Sequence, residues 1–384
     1  MVVAYLDHAA ATSVRPEVLE AVGPLLDTLA ANPTATHAEG RAARHVLDDA
    51  REEVAELCGA IPGGVVFTGG GTEADNLAVT GVVRACGIEA PQVLVSAIEH
   101  KAVLEPAQHL ARRGEAELAL LGVNGEGLVD LHALAASLGP STALVSVMTA
   151  NNELGTIQPI VQIAAAIANR APHAVLHTDA VQAAPWLDLC TAARGADLVT
   201  LSGHKLGGLK GVGALVLRRR VPLEPLIVGG AQELGLRSGT QDVLGAVSLA
   251  VALRCAVADR DHEVERVRAL RRELWQRLEH DLGAQVHQTV PSAPSLPGHL
   301  HLSVLGVDAE ELLVALDRAG VCASGGSSCA SGALEANHVL EAIALPPSLR
   351  RGAVRLTLGR TTTQGEVEAG ARAIVEVVRQ LSTA

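Results

Sequence analysis

LVTLSGHKLGGLKGVGALVL, Leu198 to Leu217, joins two apolar strand-like runs through a turn that carries one lysine, Lys205. Leu198, Val199 and Leu201 have the character of a buried strand, and Ser202, Gly203 and His204 end it. Gly207, Gly208, Gly211 and Gly213 then keep side chains away from the turn. A solvated lysine in a β-turn fits that stretch taken alone. A lysine bonded to a planar cofactor also fits, because backbone must approach such a cofactor closely at a strand end. The rest of the chain decides between the two.

Outward from this stretch, strand and helix signals alternate. Arg41 to Leu57 reads as a helix with Leu47, Ala50, Val54 and Leu57 on one face. Short apolar runs follow at Val65 to Phe67, Val93 to Val95, Ala143 to Met148, Val175 to His177 and Ala214 to Leu217, most with helical stretches between them. Such alternation predicts an α/β fold whose mainly parallel sheet is covered on both faces, with ligands at the carboxyl ends of its strands. Composition shifts near Arg254, and an amphipathic helix is expected from about Asp261, with Val267, Leu270, Leu274 and Leu278 on one face. Beyond it lies a smaller α+β part, with a strand near His301 to Val304, a helix from Ala309 to Arg318 and a strand from Val354 to Leu358. A last helix opens on the capping-box spacing Thr363 to Glu366.

The chain of 384 residues is 48% apolar but only 1% aromatic, so its cores must be aliphatic and base stacking has little to use. A net charge of -12 argues against direct nucleic-acid binding. Despite a mean hydropathy of +0.29, no apolar run approaches the ~20 residues of a membrane span, and the start lacks a signal-peptide pattern. A cytoplasmic protein is expected. The six cysteines form no C-x-x-C pair, which argues for reduced thiols and against a metal site. Cys58, Cys86, Cys190 and Cys255 read as small core residues and Cys322 as a strand-end residue. Cys329 differs, since Ser324 to Ser331 is a run of small residues in which a thiol can be exposed and reactive.

Several strand ends carry chemistry. Gly69 to Thr72 before a helix forms a phosphate cradle in principle, through Gly71 and Thr72, although such turns are often only turns. His100 follows the run at Val93 and can face a flat ring or move a proton, or be merely hydrogen-bonded. Asn151 and Asn152 follow Met148, and Asp179 and Gln182 follow His177. A carboxylate there can keep a pyridinium nitrogen protonated, and an amide can bond a phenolic oxygen. With Lys205 these are the parts that a pyridoxal 5'-phosphate site requires.

The ordered motifs YLDHAAAT (Tyr5 to Thr12), FTGGGTEADNLA (Phe67 to Ala78), EHKAVL (Glu99 to Leu104), NNELGT (Asn151 to Thr156), TDAVQ (Thr178 to Gln182), SGHK (Ser202 to Lys205), RSGT (Arg237 to Thr240), GSSCASG (Gly326 to Gly332) and VRLTLGR (Val354 to Arg360) span nearly the whole sequence. In them the chain resembles the cysteine desulfurases of the class V, fold type I aminotransferase superfamily. The long segment Ala333 to Leu345 is similar to the branch with a mobile cysteine loop. The resemblance implies a fold type I pyridoxal phosphate transferase. Residues 13–255 would form a large cofactor-binding domain with a seven-stranded sheet, and 1–12 with 256–384 a small domain carrying the cysteine loop.

The resemblance further implies roles. Lys205 would carry the cofactor and shuttle the α-proton, His100 would stack on the ring and assist, Asp179 would pair the pyridine nitrogen, and Gln182 the ring hydroxyl. Gly71, Thr72, Ser202 and His204 would hold the phosphate, joined by Thr240 from a second subunit, which implies a homodimer. Asn152 would lie against the cofactor and, with Arg355 and the entry-side Asn32, take the substrate carboxylate. Cys329 would attack the sulfur of L-cysteine, releasing L-alanine and keeping a persulfide for an acceptor protein, either an iron-sulfur scaffold or a thio-modification enzyme. A selenocysteine lyase or small-amino-acid aminotransferase would not need Cys329, and a non-catalytic scaffold would not turn over. Leu209 stands where the family usually has proline, which is expected to loosen that turn.

Overall fold

The computed structural model describes residues 3–28, 30–325 and 337–382. Its strands are β1 (Ala4–Tyr5), β2 (Val65–Thr68), β3 (Gln92–Ser96), β4 (Glu117–Leu121), β5 (Thr142–Ser146), β6 (Val175–Asp179), β7 (Leu198–Ser202), β8 (Gly213–Leu217), β9 (Val286–Gln288), β10 (His299–Val304), β11 (Val321–Cys322) and β12 (Ala353–Thr357). Seven of them form one sheet in the order β2-β8-β7-β6-β5-β3-β4. Only β8 runs against its neighbours there. Alternate residues explain why both faces are covered. Phe67, Leu94, Val145, Leu176, Val199 and Val216 join one apolar cluster, while Val66, Val93, Val95, Leu144, Val175, Leu198 and Leu215 join another. Each fully buried Val or Leu contributes about 1.5–3 kcal/mol, which is how a chain so poor in aromatics builds its cores.

β4 has no counterpart among the apolar runs read from the sequence. It is a sheet edge on which only Leu121 is buried and Leu120 is 54% exposed, and its short apolar run Leu118 to Leu121 cannot be told from a piece of helix by periodicity. β12, β10 and β9 form a second, antiparallel sheet, and β1 pairs with β11. The closing helix Gln364–Ser382 opens on the expected capping box: the Thr363 N–H donates to Glu366 Oε2 at 2.8 Å and the Glu366 N–H to Thr363 Oγ1 at 3.2 Å.

The long helix starts earlier than its amphipathic stripe suggests. It runs unbroken for 40 residues, Val243–Leu282. Its first half is apolar on most sides, with Ala246, Leu249, Ala250 and Leu253 in the core of the large sheet, so it shows no stripe. Its second half places Val267, Leu270, Leu274 and Leu278 in the core of the antiparallel sheet. The expected division after residue 255 lies inside this helix. The Leu209 turn, expected to be looser than one with proline, is tied to this helix by the Leu209 N–H, which donates to Ser248 Oγ at 2.7 Å, a bond that a proline cannot make. Cys58 is buried, and burial pushes its thiol up to about 12. Cys190, expected in the core, is exposed, because Leu189 takes the buried position of its one-turn helix.

Ala258 is exposed in the middle of the long helix, between its two packed halves. Ala258→Pro is expected to cost about 3 kcal/mol and Ala258→Gly about 1 kcal/mol, measured by chemical denaturation. Equal stability of the proline variant and wild type would contradict a continuous helix.

Candidate active site

A cavity of about 430 Å³ opens at the carboxyl ends of the large-sheet strands. It gathers Gly71, Thr72, His100, Asn152, Asp179, Gln182, Ser202, His204, Lys205 and Arg355 from distant parts of the chain. Asp179 ends β6, and its Oδ1 accepts the Val181 N–H at 2.8 Å. Burial pushes its carboxyl up, while that N–H, His100 and Lys205 pull it back. Lys205 lies in the single turn Gly203–Leu206 after β7, and its Nζ donates to the carbonyls of Ala9 at 2.5 Å and Ala10 at 2.6 Å. Gln182 Nε2 shares the Ala9 carbonyl at 3.0 Å. Ser202 Oγ and His204 Nδ1 are 2.9 Å apart.

The glycines clear space for specific neighbours. A Cβ on Gly71 would lie 3.0 Å from Val181 Cγ2 and 3.4 Å from Ser202 Cβ, and one on Gly213 only 2.4 Å from the Gly70 carbonyl carbon. Gly207 and Gly208 make room for Arg15 and Ser248 rather than for Lys205 itself. The helix Gly71–Ala85 starts without a side-chain cap on Gly70, which leaves its first N–H groups for an anion.

His100 caps the helix Lys101–Arg112, and its Nδ1 accepts the Ala102 N–H at 3.1 Å. That bond assigns the ring proton to Nε2. Burial lowers its pKa, Asp179 opposes that effect, and Lys205, His338 and Lys101 reinforce it. Arg355 is buried in β12, with Nη2 on Asp7 Oδ1 at 2.7 Å and Nη1 on the Asn152 carbonyl at 3.0 Å. Its Nε has no hydrogen-bond partner among the described residues.

The structure adds groups that the sequence did not single out. Asp75 and Glu99 line the cavity fully buried, and burial pushes both carboxyls up. Glu99 Oε1 accepts the Met148 N–H at 2.6 Å, while Asp75 Oδ1 lacks a hydrogen-bond partner among the described residues. Asp75 Oδ1 lies 3.5 Å from His177 Nε2, and His177 Nδ1 meets Ser146 Oγ at 2.8 Å. Glu153 and His338 also reach the wall, with Asn337 Nδ2 donating to Glu153 Oε2 at 2.6 Å.

Two expected site residues lie elsewhere. Asn32 is exposed, and its Oδ1 is occupied by the N–H and Oγ1 of Thr34 at 2.9 and 2.8 Å, so it closes a local turn instead of reaching the cavity. Thr240 is exposed and is not part of the cavity of its own chain. Cys329 lies outside the described residues. The chain on either side is fixed at the cavity wall, through the backbone pairing of Ser324 with Arg355 and through Asn337 on Glu153.

A family model described as aminotransferase class-V matches residues 4–369. A cysteine desulfurase IscS of Dictyoglomus turgidum is 38% identical over 379 residues, 99% of this chain and 95% of the relative. The chain belongs to the cysteine desulfurases of the class-V aminotransferase family. A solved structure of a NifS-like protein superimposes with a TM-score of 0.92 at 33% identity, covering 99% of this chain and 100% of that one. A structure of SspA in complex with cysteine matches with a TM-score of 0.78 at 31% identity, covering 94% of this chain and 99% of that one. Such likeness confirms the fold type I α/β class. Among the described residues, no helix is long and apolar enough to cross a membrane.

Burial holds His177, His299 and His301 down to about 3, and His8 and His204 to about 4. These rings stay neutral in the fold, so the stability they contribute is complete above the unfolded value of about 6.5 and is lost as pH falls through the folded values. Histidine NMR titration is expected to show these rings unprotonated from pH 8 to 5. Protonation of His177 near pH 6 would contradict its burial.

Proposed function

We propose that this chain converts L-cysteine to L-alanine with pyridoxal 5'-phosphate as cofactor, and passes the sulfur as a persulfide on Cys329 to an acceptor protein. The observation that carries the reading is the meeting of Lys205, His100, Asp179 and Arg355 in one cavity of a cysteine desulfurase family member. The cavity's size suits a cofactor with a small substrate. Its polar groups suit the parts of this one: the uncapped helix start at Gly71 and Thr72 with Ser202 and His204 as donors for a phosphate, Asp179 as acceptor for a protonated ring nitrogen and Gln182 for a ring oxygen. When bound, pyridoxal phosphate supplies an electron sink for the pair released at the α-carbon.

The protein's groups then have separate tasks. Lys205 Nζ takes the α-proton and returns a proton to carbon. His100, its orientation set by the Ala102 N–H on Nδ1, would offer Nε2–H to the cofactor. Burial works against a charge on Asp179, so a protonated ring nitrogen would be the natural partner of its carboxylate. The Arg355 fork, held by Asp7, takes the substrate carboxylate beside Asn152.

Cys329 is four residues from Gly325, a span of at most about 14 Å, and Ser324 is paired to the backbone of Arg355. Its thiolate attacks the substrate sulfur. A sulfur–sulfur bond forms, the β-carbon–sulfur bond breaks, and the β-carbon keeps the electron pair and takes a proton. Cysteine and the Cys329 thiol thus become alanine and the Cys329 persulfide. In this reading the enzyme is a cytoplasmic homodimer in which Thr240 completes the partner's phosphate site, residues 13–255 bind the cofactor, and 1–12 with 256–384 carry the cysteine. The acceptor is an iron-sulfur scaffold or a thio-modification enzyme.

The test is alanine release together with intact mass after L-cysteine is added to the cofactor-loaded protein. Wild type is expected to release alanine and gain one sulfur on Cys329. Cys329→Ala should lose both by 100-fold or more (~3 kcal/mol or more in barrier), and Lys205→Ala should not turn over. Equal alanine release by Cys329→Ala would favour a lyase instead.

A further inference from the structure

The segment from Ile227 to Thr240 is held in a conformation that its residues do not favour. Ala231, Glu233 and Leu234 have φ of 57°, 46° and 61°, in the left-handed region that side chains other than glycine rarely occupy. Glu233 is 4% exposed. Its carboxylate receives Arg51 Nη1 and Nη2 at 2.7 Å each, the Phe67 N–H at 2.8 Å and Gln241 Nε2 at 2.5 Å. The Arg51 guanidinium also lies 4.9 Å from the centre of the Phe67 ring. Burial works against the charge on Glu233, but Arg51, Gln241 and the Phe67 N–H together hold the carboxyl below the usual range.

A second tie runs in parallel. Arg237 Nε donates to Glu73 Oε1 at 2.9 Å, and Glu73 Oε2 accepts the Gly69 N–H at 2.7 Å. The segment is therefore braced at two points against residues 67–73, the strand end and turn that form the phosphate cradle. Its outer side is apolar and open, with Val228 82% and Leu234 59% exposed. Gln241, the strut from Glu233, is the residue next to Thr240.

We propose that Glu233 is a positioning residue: through Arg51, Phe67 and Gln241 it fixes the loop that presents Thr240 to the cofactor phosphate bound by a second copy of this chain. The proposal rests on the assignment of Thr240 made above. Thr240 need not touch its own cavity for this, and the open apolar side of the loop is what a second copy would cover. An unbraced loop would relax out of its left-handed turn and carry Thr240 with it.

The test compares dissociation constants of pyridoxal phosphate and of pyridoxal, which lacks the phosphate, by absorbance titration of the full chain freed of cofactor. The ratio of the two isolates contacts to the phosphate, because a general loosening of the fold weakens both ligands alike. Thr240→Val is expected to lower the preference for the phosphate form about tenfold or more. Glu233→Gln and Gln241→Leu are expected to lower it by a similar factor, and adding Thr240→Val to either should lower it no further. Gln241→Leu keeps Arg51 and the Phe67 N–H on the carboxylate, so it serves if Glu233→Gln does not fold. Loss of preference in Thr240→Val with wild-type preference in both brace variants would overturn the positioning role. Wild-type preference in Thr240→Val would overturn the assignment of Thr240 and, with it, the inference.

Discussion

A carboxylate buried at the end of a central strand is the constraint on which this site depends. Asp179 sits where β6 delivers it, and burial raises the cost of its charge. Asp75 and Glu99 are buried around the same cavity. Three carboxyl groups in one desolvated space cannot all ionise without cations close by. Lys205 supplies a cation at the cavity, and a carboxyl whose charge finds no partner keeps its proton.

The rest of the fold holds this arrangement in place. The parallel strands aim their carboxyl ends at one cavity, and bare glycine positions let Gly70 and Gly71 pass within van der Waals distance of β7 and β8. The helix Val243–Leu282 belongs to both apolar cores, so the antiparallel sheet that carries Arg355 is rigidly related to the sheet that carries Asp179. Arg355 is in turn tied to Asp7 near the start of the chain, across 348 positions. Packing therefore sets the distance between Arg355 and the strand ends that carry Asp179 and Lys205.

Much of this was legible in the sequence, because the polar groups follow directly after apolar runs and parallel strands end on one side. What was not legible has physical reasons. The edge strand β4 is a short apolar run that periodicity cannot tell from a piece of helix, and the evenly apolar first half of the long helix shows no stripe. Asp75, Glu99 and Asp7 stood inside quoted motifs, but a charged residue in a string does not disclose that it is buried. Asn32 was read toward the site, whereas its exposed side chain accepts through Oδ1 from the N–H and hydroxyl of Thr34 two residues on. The Arg51–Glu233 pair spans 182 positions, a separation at which local patterns carry no information.

The central claim is that Lys205 holds the cofactor at the end of β7. The chain has three lysines, Lys101, Lys205 and Lys210, and Lys101 also lines the cavity. Borohydride reduction of the cofactor-loaded protein, followed by peptide mass mapping, separates them directly. A pyridoxyl adduct on Lys205 alone is the expected result. An adduct on Lys101 or Lys210 with Lys205 unmodified would contradict the account.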